Sequence, residues 1–192
     1  MNRRKFISQS SGLPMAAGAW ILSPGVYPRE KVRTSANEKI LVGLIGCNSM
    51  GWGILSQALR QPNVECLGLC DIDSNVLNRR ADEISKQYSK KPQLFNDYRK
   101  LLENKDLNAV IIGTPDHWHC LPMVEACMAG KEVYVEKPMA NSIAECNVMV
   151  KAARKYNRIV QVGQQQRSGE HWQSAISFIQ SGGIGTLRKV HC

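Results

Sequence analysis

The chain has no apolar run near the ~18 residues a membrane-crossing helix needs, and only 6% of its 192 residues are aromatic. It also lacks a C-x-x-C pair, an internal repeat and any low-complexity segment. The first absence excludes a helical membrane span, and the missing repeat excludes solenoids and collagen. With seven cysteines, an odd number without paired spacing, a disulfide framework is not implied. Cys47, Cys66, Cys70, Cys120, Cys127 and Cys146 fall mostly in apolar patterns, where a thiol behaves as a small hydrophobe. A basic stripe is absent too. The net charge of +9 divides into +5 over residues 1–35 and +4 over the rest, where basic and acidic side chains are interspersed. Capture of a nucleic-acid backbone is thereby disfavoured.

What is present begins with an address. Arg3-Arg4-Lys5-Phe6-Ile7 precedes a mildly apolar run from Gly12 to Leu22, too short to span a bilayer, with small residues near its end. Paired arginines followed by a hydrophobic stretch resemble a twin-arginine export signal, which implies delivery to the periplasm as an already folded protein. Residues 1–35 are expected to be signal and linker, and fold reasoning starts near Lys39.

From there, apolar runs of strand length alternate with segments of helical spacing. Strands are expected at Ile40–Ile45, Val64–Cys70, Ala109–Ile112, Glu132–Val135 and Ile159–Val162. Helical patterns cover Ile54–Leu59, Val76–Tyr88, a short piece around Lys100–Leu102, Leu121–Ala129, Ile143–Tyr156 and Trp172–Ile179. Strands apolar throughout are buried on both faces, and their alternation with helices gives an α/β, doubly wound parallel sheet. That dinucleotide-binding domain is expected over 39–183, with residues 184–192 opening the first strand, from Leu187, of a truncated second domain.

Three segments could carry chemistry. Gly46-Cys47-Asn48-Ser49-Met50-Gly51 lies between the first strand and first helix, where G-x-G-x-x-G lets backbone approach a pyrophosphate. Asn48 replaces the middle glycine; asparagine tolerates positive φ but adds a side chain where phosphate approaches. Asp71 ends the second strand 20 residues after Gly51, the place of an acid that accepts from ribose hydroxyls. Its carboxylate favours NAD over NADP, though Arg79 and Arg80 downstream keep NADP as an alternative. Thr114-Pro115-Asp116-His117-Trp118-His119 follows the third main strand, and Glu136-Lys137-Pro138 the fourth. His-x-His hints at a metal, but only Asp116 is at hand as a further ligand, so no metal is assigned. Lys137 could move a proton of a substrate hydroxyl, with Glu136 holding its ammonium and Pro138, in a cis bond, fixing the turn.

Together, Gly-x-Asn-x-x-Gly, Asp71, Thr-Pro-Asp-His-Trp-His and Glu-Lys-Pro resemble the Gfo/Idh/MocA oxidoreductases, a family that includes glucose–fructose oxidoreductase and inositol dehydrogenase. The resemblance runs from about Lys39 to Cys192. It implies a Rossmann domain followed by an α+β domain on an open sheet, with the family's catalytic His and Asp in that second domain. It further implies that Lys137 contacts substrate and cofactor. Gly46, Asn48, Ser49, Met50, Gly51, Asp71, Thr114, Pro115, His119, Glu136, Gln164 and Arg167 would then form the cofactor side. The expected activity is hydride transfer on a sugar or polyol by a homo-oligomer with tightly held NAD. Redox-neutral glycoside cleavage by transient oxidation is the alternative within enzymes, and a nucleotide-binding module without turnover the alternative of another class.

Overall fold

The computed structural model describes residues 39–190, so the expected signal, the linker and the last two residues lie outside the described residues. Six parallel strands run β1 (Ile40–Ile45), β2 (Val64–Cys70), β3 (Gln93–Phe95), β4 (Ala109–Ile112), β5 (Glu132–Glu136) and β6 (Val160–Gly163). They lie side by side in the order β3-β2-β1-β4-β5-β6. Six α-helices join or follow them: α1 (Ser49–Ala58), α2 (Ser74–Tyr88), α3 (Tyr98–Leu102), α4 (Cys120–Met128), α5 (Ile143–Lys155) and α6 (Glu170–Gln180). The doubly wound parallel sheet expected from the apolar runs is the observed fold.

Alternate side chains of each strand feed two separate cores. Val42, Leu44 and Ile111 pack with Leu55 of α1 and with Val76, Leu77, Ala81 and Ile84 of α2. Ile45, Val110, Ile112, Val133 and Val135 pack on the opposite face with Leu101, Met123, Ala126 and Met149 of α3, α4 and α5. Covering both faces is why the strands read as unbroken apolar runs. The first face is not fully covered: α1 reaches β4, and beyond it the face is open toward β6. An apolar groove of about 610 Å³ is left there beside Ile54, Ala58, Ile111, Tyr134 and Ile159.

Caps fix the helix starts. Asp73 accepts from the Asn75 and Val76 N–H groups, Asp97 from Arg99, and Ser142 from Glu145, each satisfying a first-turn donor. The buried Lys131 donates through Nζ to the carbonyls of Asn104 and Leu107 at 2.7 and 2.9 Å, pinning the turn before β4 to the start of β5.

The structure adds one strand to those expected. β3, a three-residue edge strand, was not anticipated, because Gln93 and Leu94 are exposed and show no apolar run. No strand forms over Leu187–Val190, whose side chains are exposed and have no neighbouring strand to pair with among the described residues. The α6 helix is exposed along its whole length, including Trp172, Ile176, Phe178 and Ile179. No helix among the described residues is long and apolar enough to cross a membrane.

Candidate functional site

Strand order reverses between β1 and β4, so the loops leaving their carboxyl ends diverge and open a crevice, the usual ligand position of such sheets. Three glycines interlock there. Gly46 takes φ +86°, and a Cβ on it would fall 2.8 Å from Gly113 C and Thr114 N. A Cβ on Gly51 would fall 2.3 Å from the Gly46 carbonyl oxygen, and one on Gly113 2.4 Å from Gly51 Cα. The β1 turn, the α1 start and the β4 loop therefore touch backbone to backbone. Such a cradle suits a diphosphate, whose oxygens meet the first-turn N–H groups that lack intrahelical acceptors.

Asn48 does not use the positive φ that asparagine tolerates. Its φ is −100°, and its side chain caps α1 by accepting from the Ser49 N–H at 3.0 Å. Ser49 instead carries the positive φ, at 41°. The extra side chain is thus absorbed into the cap.

Asp71 stands at the end of β2 with both carboxylate oxygens in use. Oδ2 accepts from the Cys47 N–H at 2.7 Å and Oδ1 from the Asp73 N–H at 3.0 Å. The acid so ties the β1 turn to its own loop while remaining partly open to solvent. Arg80 is committed elsewhere: Nε donates to the Cys47 carbonyl at 3.3 Å, the guanidinium lies 4.5 Å over the Trp52 ring, and Nη1 pairs with Glu83. It braces the turn, while Arg79 is exposed. Burial, then the neighbouring Asp71 charge, pushes the Cys47 thiol far up and that of Cys70 to about 12, so neither is a nucleophile near neutrality.

On the β4–β5 side, Thr114 Oγ1 donates to the Trp118 carbonyl at 3.1 Å and Pro115 is exposed, heading a 3₁₀ turn over Asp116–Trp118. Lys137 is exposed at the end of β5, and its bond to Pro138 is cis, as anticipated. Two expected roles change. Glu136 is buried, and its Oε2 accepts from the Lys137 backbone N–H at 3.1 Å; no ion pair to the Lys137 ammonium is found among the described residues. It shapes the turn rather than gripping the amine. His119 is only 1% exposed, with Nδ1 2.7 Å from the Pro138 carbonyl oxygen and Nε2 2.8 Å from that of Thr114, so its ring nitrogens face backbone rather than the crevice. Among the described residues no cluster of three or more His, Cys, Asp or Glu could hold a metal.

The β6 loop closes the arrangement, since Gln165 reaches Met50 at the α1 start, Nε2 to Sδ 3.7 Å. Gln164 and Arg167 are exposed on that loop. Sequence reading missed Gly113, whose only signal was a glycine directly after a strand. A smaller hollow of about 260 Å³ lies at the far end of β2, lined by Leu59, Pro62, Cys66, Ile84 and Tyr88. Its one acid, Glu65, is paired with Lys39 and Lys90.

Fold and crevice together define a dinucleotide-binding α/β protein. Residues 40–164 match the model of the Gfo/Idh/MocA oxidoreductase family, with its NAD-binding Rossmann fold, and the chain belongs to that family. Among curated relatives it is 32% identical over 152 residues to a "glycosyl hydrolase family 109 protein" of Shewanella baltica, covering 77% of this chain and 33% of that one. It is 29% identical over 154 residues to an "alpha-N-acetylgalactosaminidase" of Shewanella oneidensis, covering 78% and 34%. Among solved structures it resembles the WlbA dehydrogenase of Chromobacterium violaceum in complex with NADH and UDP-GlcNAcA, with TM-score 0.68 and 27% identity, covering 79% of this chain and 42% of that one. The myo-inositol 2-dehydrogenase of Lactobacillus plantarum, at TM-score 0.69 and 23% identity over 78% and 43% of the two chains, shares the fold. The chain spans about a third of the length of the curated relatives it matches.

Proposed function

We propose that this chain is the dinucleotide-binding part of an enzyme that oxidises a carbinol of a sugar or polyol, with Lys137 moving the hydroxyl proton. The observation that carries the reading is Lys137 standing exposed after β5, on a turn fixed by the Glu136 carboxylate, one strand over from the β4 loop that completes the glycine cradle. When bound, NAD supplies the acceptor for the carbinol hydride. The chain's own residues hold and orient. The Gly46–Gly51 turn, Asn48, Ser49 and Met50 included, grips the diphosphate, and Asp71 accepts from the ribose hydroxyls. Thr114, Pro115, Gln164 and Arg167 border the reactive end, and Lys137 Nζ, in its neutral amine form, takes the hydroxyl proton and becomes the ammonium as the carbonyl forms. Asp71 favours NAD, and the commitment of Arg80 to Cys47, Trp52 and Glu83 removes one candidate partner for the 2′-phosphate of NADP.

A second reading, glycoside cleavage by transient oxidation, is favoured by the glycosidase names of relatives about 30% identical. It uses the same hydride and proton positions and returns the cofactor to its starting state. Export by the twin-arginine route, read from Arg3-Arg4, suits either chemistry if the cofactor is held tightly, because a periplasmic enzyme has no evident pool of free NAD. Replacing both arginines with lysine should then leave precursor in the cytoplasm, and unchanged export would reject the route.

The deciding experiment takes the full-length protein, follows absorbance at 340 nm with candidate sugars and polyols, and follows aglycone release from an N-acetylgalactosaminide. Net NADH accumulation supports the dehydrogenase; aglycone release without net reduction supports the glycosidase. Lys137→Met should lower turnover by about 10²- to 10⁴-fold in either case while changing NADH affinity much less. Near-wild-type turnover of that variant would reject the role given to Lys137.

A further inference from the structure

His119 sits 19 residues before Pro138 and five after Thr114, yet its ring lies between their carbonyl oxygens at 2.7 and 2.8 Å. These two carbonyls belong to the loops leaving β4 and β5. Pro138 is bonded to Lys137. Thr114 adjoins the glycine contact, its backbone nitrogen being 2.8 Å from where a Gly46 Cβ would stand. The imidazole is thus the middle link of a chain of contacts from the amine-bearing turn to the diphosphate cradle. Met123 and Pro122 beside it in sequence are also fully buried, which leaves the ring little room to leave its place.

We propose that His119 is a positioning residue that locks the Lys137–Pro138 turn onto the Thr114 loop and so sets where Lys137 Nζ stands relative to the bound dinucleotide. The inference rests on the reading of Lys137 as the proton-moving group. Its chemistry is specific to a ring with two nitrogens on opposite edges. A neutral imidazole has one N–H to donate and an imidazolium two, whereas phenylalanine has none and glutamine offers an amide that reaches one carbonyl. Simple core filling would be served as well by a phenyl ring. Placement of a reacting group is far less forgiving, since a misplacement near 1 Å is enough to cost about 10²-fold in rate.

The test uses the full-length protein with His119→Phe and His119→Gln. His119→Phe should lower kcat at least about tenfold on the sugar or polyol that the wild type oxidises. KM and the NADH dissociation constant should each move less than about threefold, because the cradle keeps its own Gly46–Gly51–Gly113 contacts and Asp71 its bond from the Cys47 N–H. His119→Gln should recover part of the lost kcat. Hydrogen exchange read by mass spectrometry should quicken at Met139, Ala140 and the 116–118 turn in His119→Phe, and stay unchanged at 46–51. Wild-type kcat and exchange in a folded His119→Phe would overturn the proposal, as would equal losses in both variants that track melting temperature alone. If His119→Phe does not fold, His119→Gln carries both readouts, with a kcat loss at unchanged NADH affinity as the supporting result. If the wild type turns over no sugar or polyol, the functional proposal fails, and the exchange measurement still decides whether His119 holds the two loops together.

Discussion

Gly51→Ala isolates the backbone contact on which the cradle depends. The added Cβ would lie 2.3 Å from the Gly46 carbonyl oxygen and 3.2 Å from Gly113 Cα, and ordinary contact begins near 3.4 Å. Either the carbonyl or the first turn of α1 must therefore move by about 1 Å. Neither is free to do so. Gly46 donates its N–H to Cys70 at 2.9 Å, and Gly113 donates to Ile45 at 2.9 Å on the other side. Crowding of this kind costs about 1–3 kcal/mol, against about 0.8–1 kcal/mol gained from alanine's better helix propensity. The net loss should be about 1 kcal/mol by urea denaturation, but NADH affinity should fall at least tenfold, because the displaced atoms are those that approach the diphosphate. Gly53→Ala is the control on the same helix, with nothing within 4 Å of its Cβ. It should stabilise by about 0.5–1 kcal/mol and leave NADH binding unchanged. Fluorescence titration with NADH compares the pair. Wild-type affinity in Gly51→Ala, or equal losses in both variants, would refute the argument from close approach.

Asp71→Asn keeps the shape but offers one acceptor oxygen where two N–H groups now converge, so it should cost about 2 kcal/mol of stability in chemical denaturation and weaken NAD by roughly one to two decades in calorimetry. Equal NAD and NADP affinity in the wild type would remove the ribose role. Lys131→Met strands the Leu107 carbonyl and leaves that of Asn104 only the Leu107 N–H at 3.4 Å, and it should lower stability by about 2 kcal/mol without touching NADH affinity. Burial raises the Cys66 and Cys70 thiols to about 12 and Cys127 to about 11, against the ordinary 9. The fold keeps protons that the unfolded chain releases above pH 9, so this stability is intact below pH 9. It is then lost by about 1.4 kcal/mol per thiol per pH unit as pH rises toward 11–12. A urea midpoint unchanged between pH 8 and 10.5 would contradict that.

The elements legible in the sequence are those whose burial is continuous along the chain. β1, β2 and β4 match the apolar runs residue for residue, and the one charge within them, Glu65 near the start of β2, is paired with Lys39 and Lys90. The start of α1 was read too late, at Ile54, because Met50, Gly51 and Trp52 carry no helical period; Asn48 sets that boundary by its cap. β3 escaped because an edge strand of three residues needs only three backbone partners, Gly68, Leu69 and Cys70, and no apolar pattern of its own.

For the candidate site, motif order brings the named residues to one edge, because the carboxyl ends of parallel strands fall together whatever the loops do. Individual roles were less legible, since each depends on which distant backbone group meets the side chain. Glu136 looked like a partner for the neighbouring ammonium, but the β5 turn folds its carboxylate onto the Lys137 N–H. Arg80 was read as a rival for phosphate until the Cys47 carbonyl, 33 positions earlier, and the Trp52 ring were seen to hold it. His119 was read into the cofactor side, and its ring instead joins two loops by their carbonyls. In all three cases a charged or titratable side chain near the crevice serves the backbone that shapes it. Lys137 is left exposed there, and the proposed proton transfer relies on it.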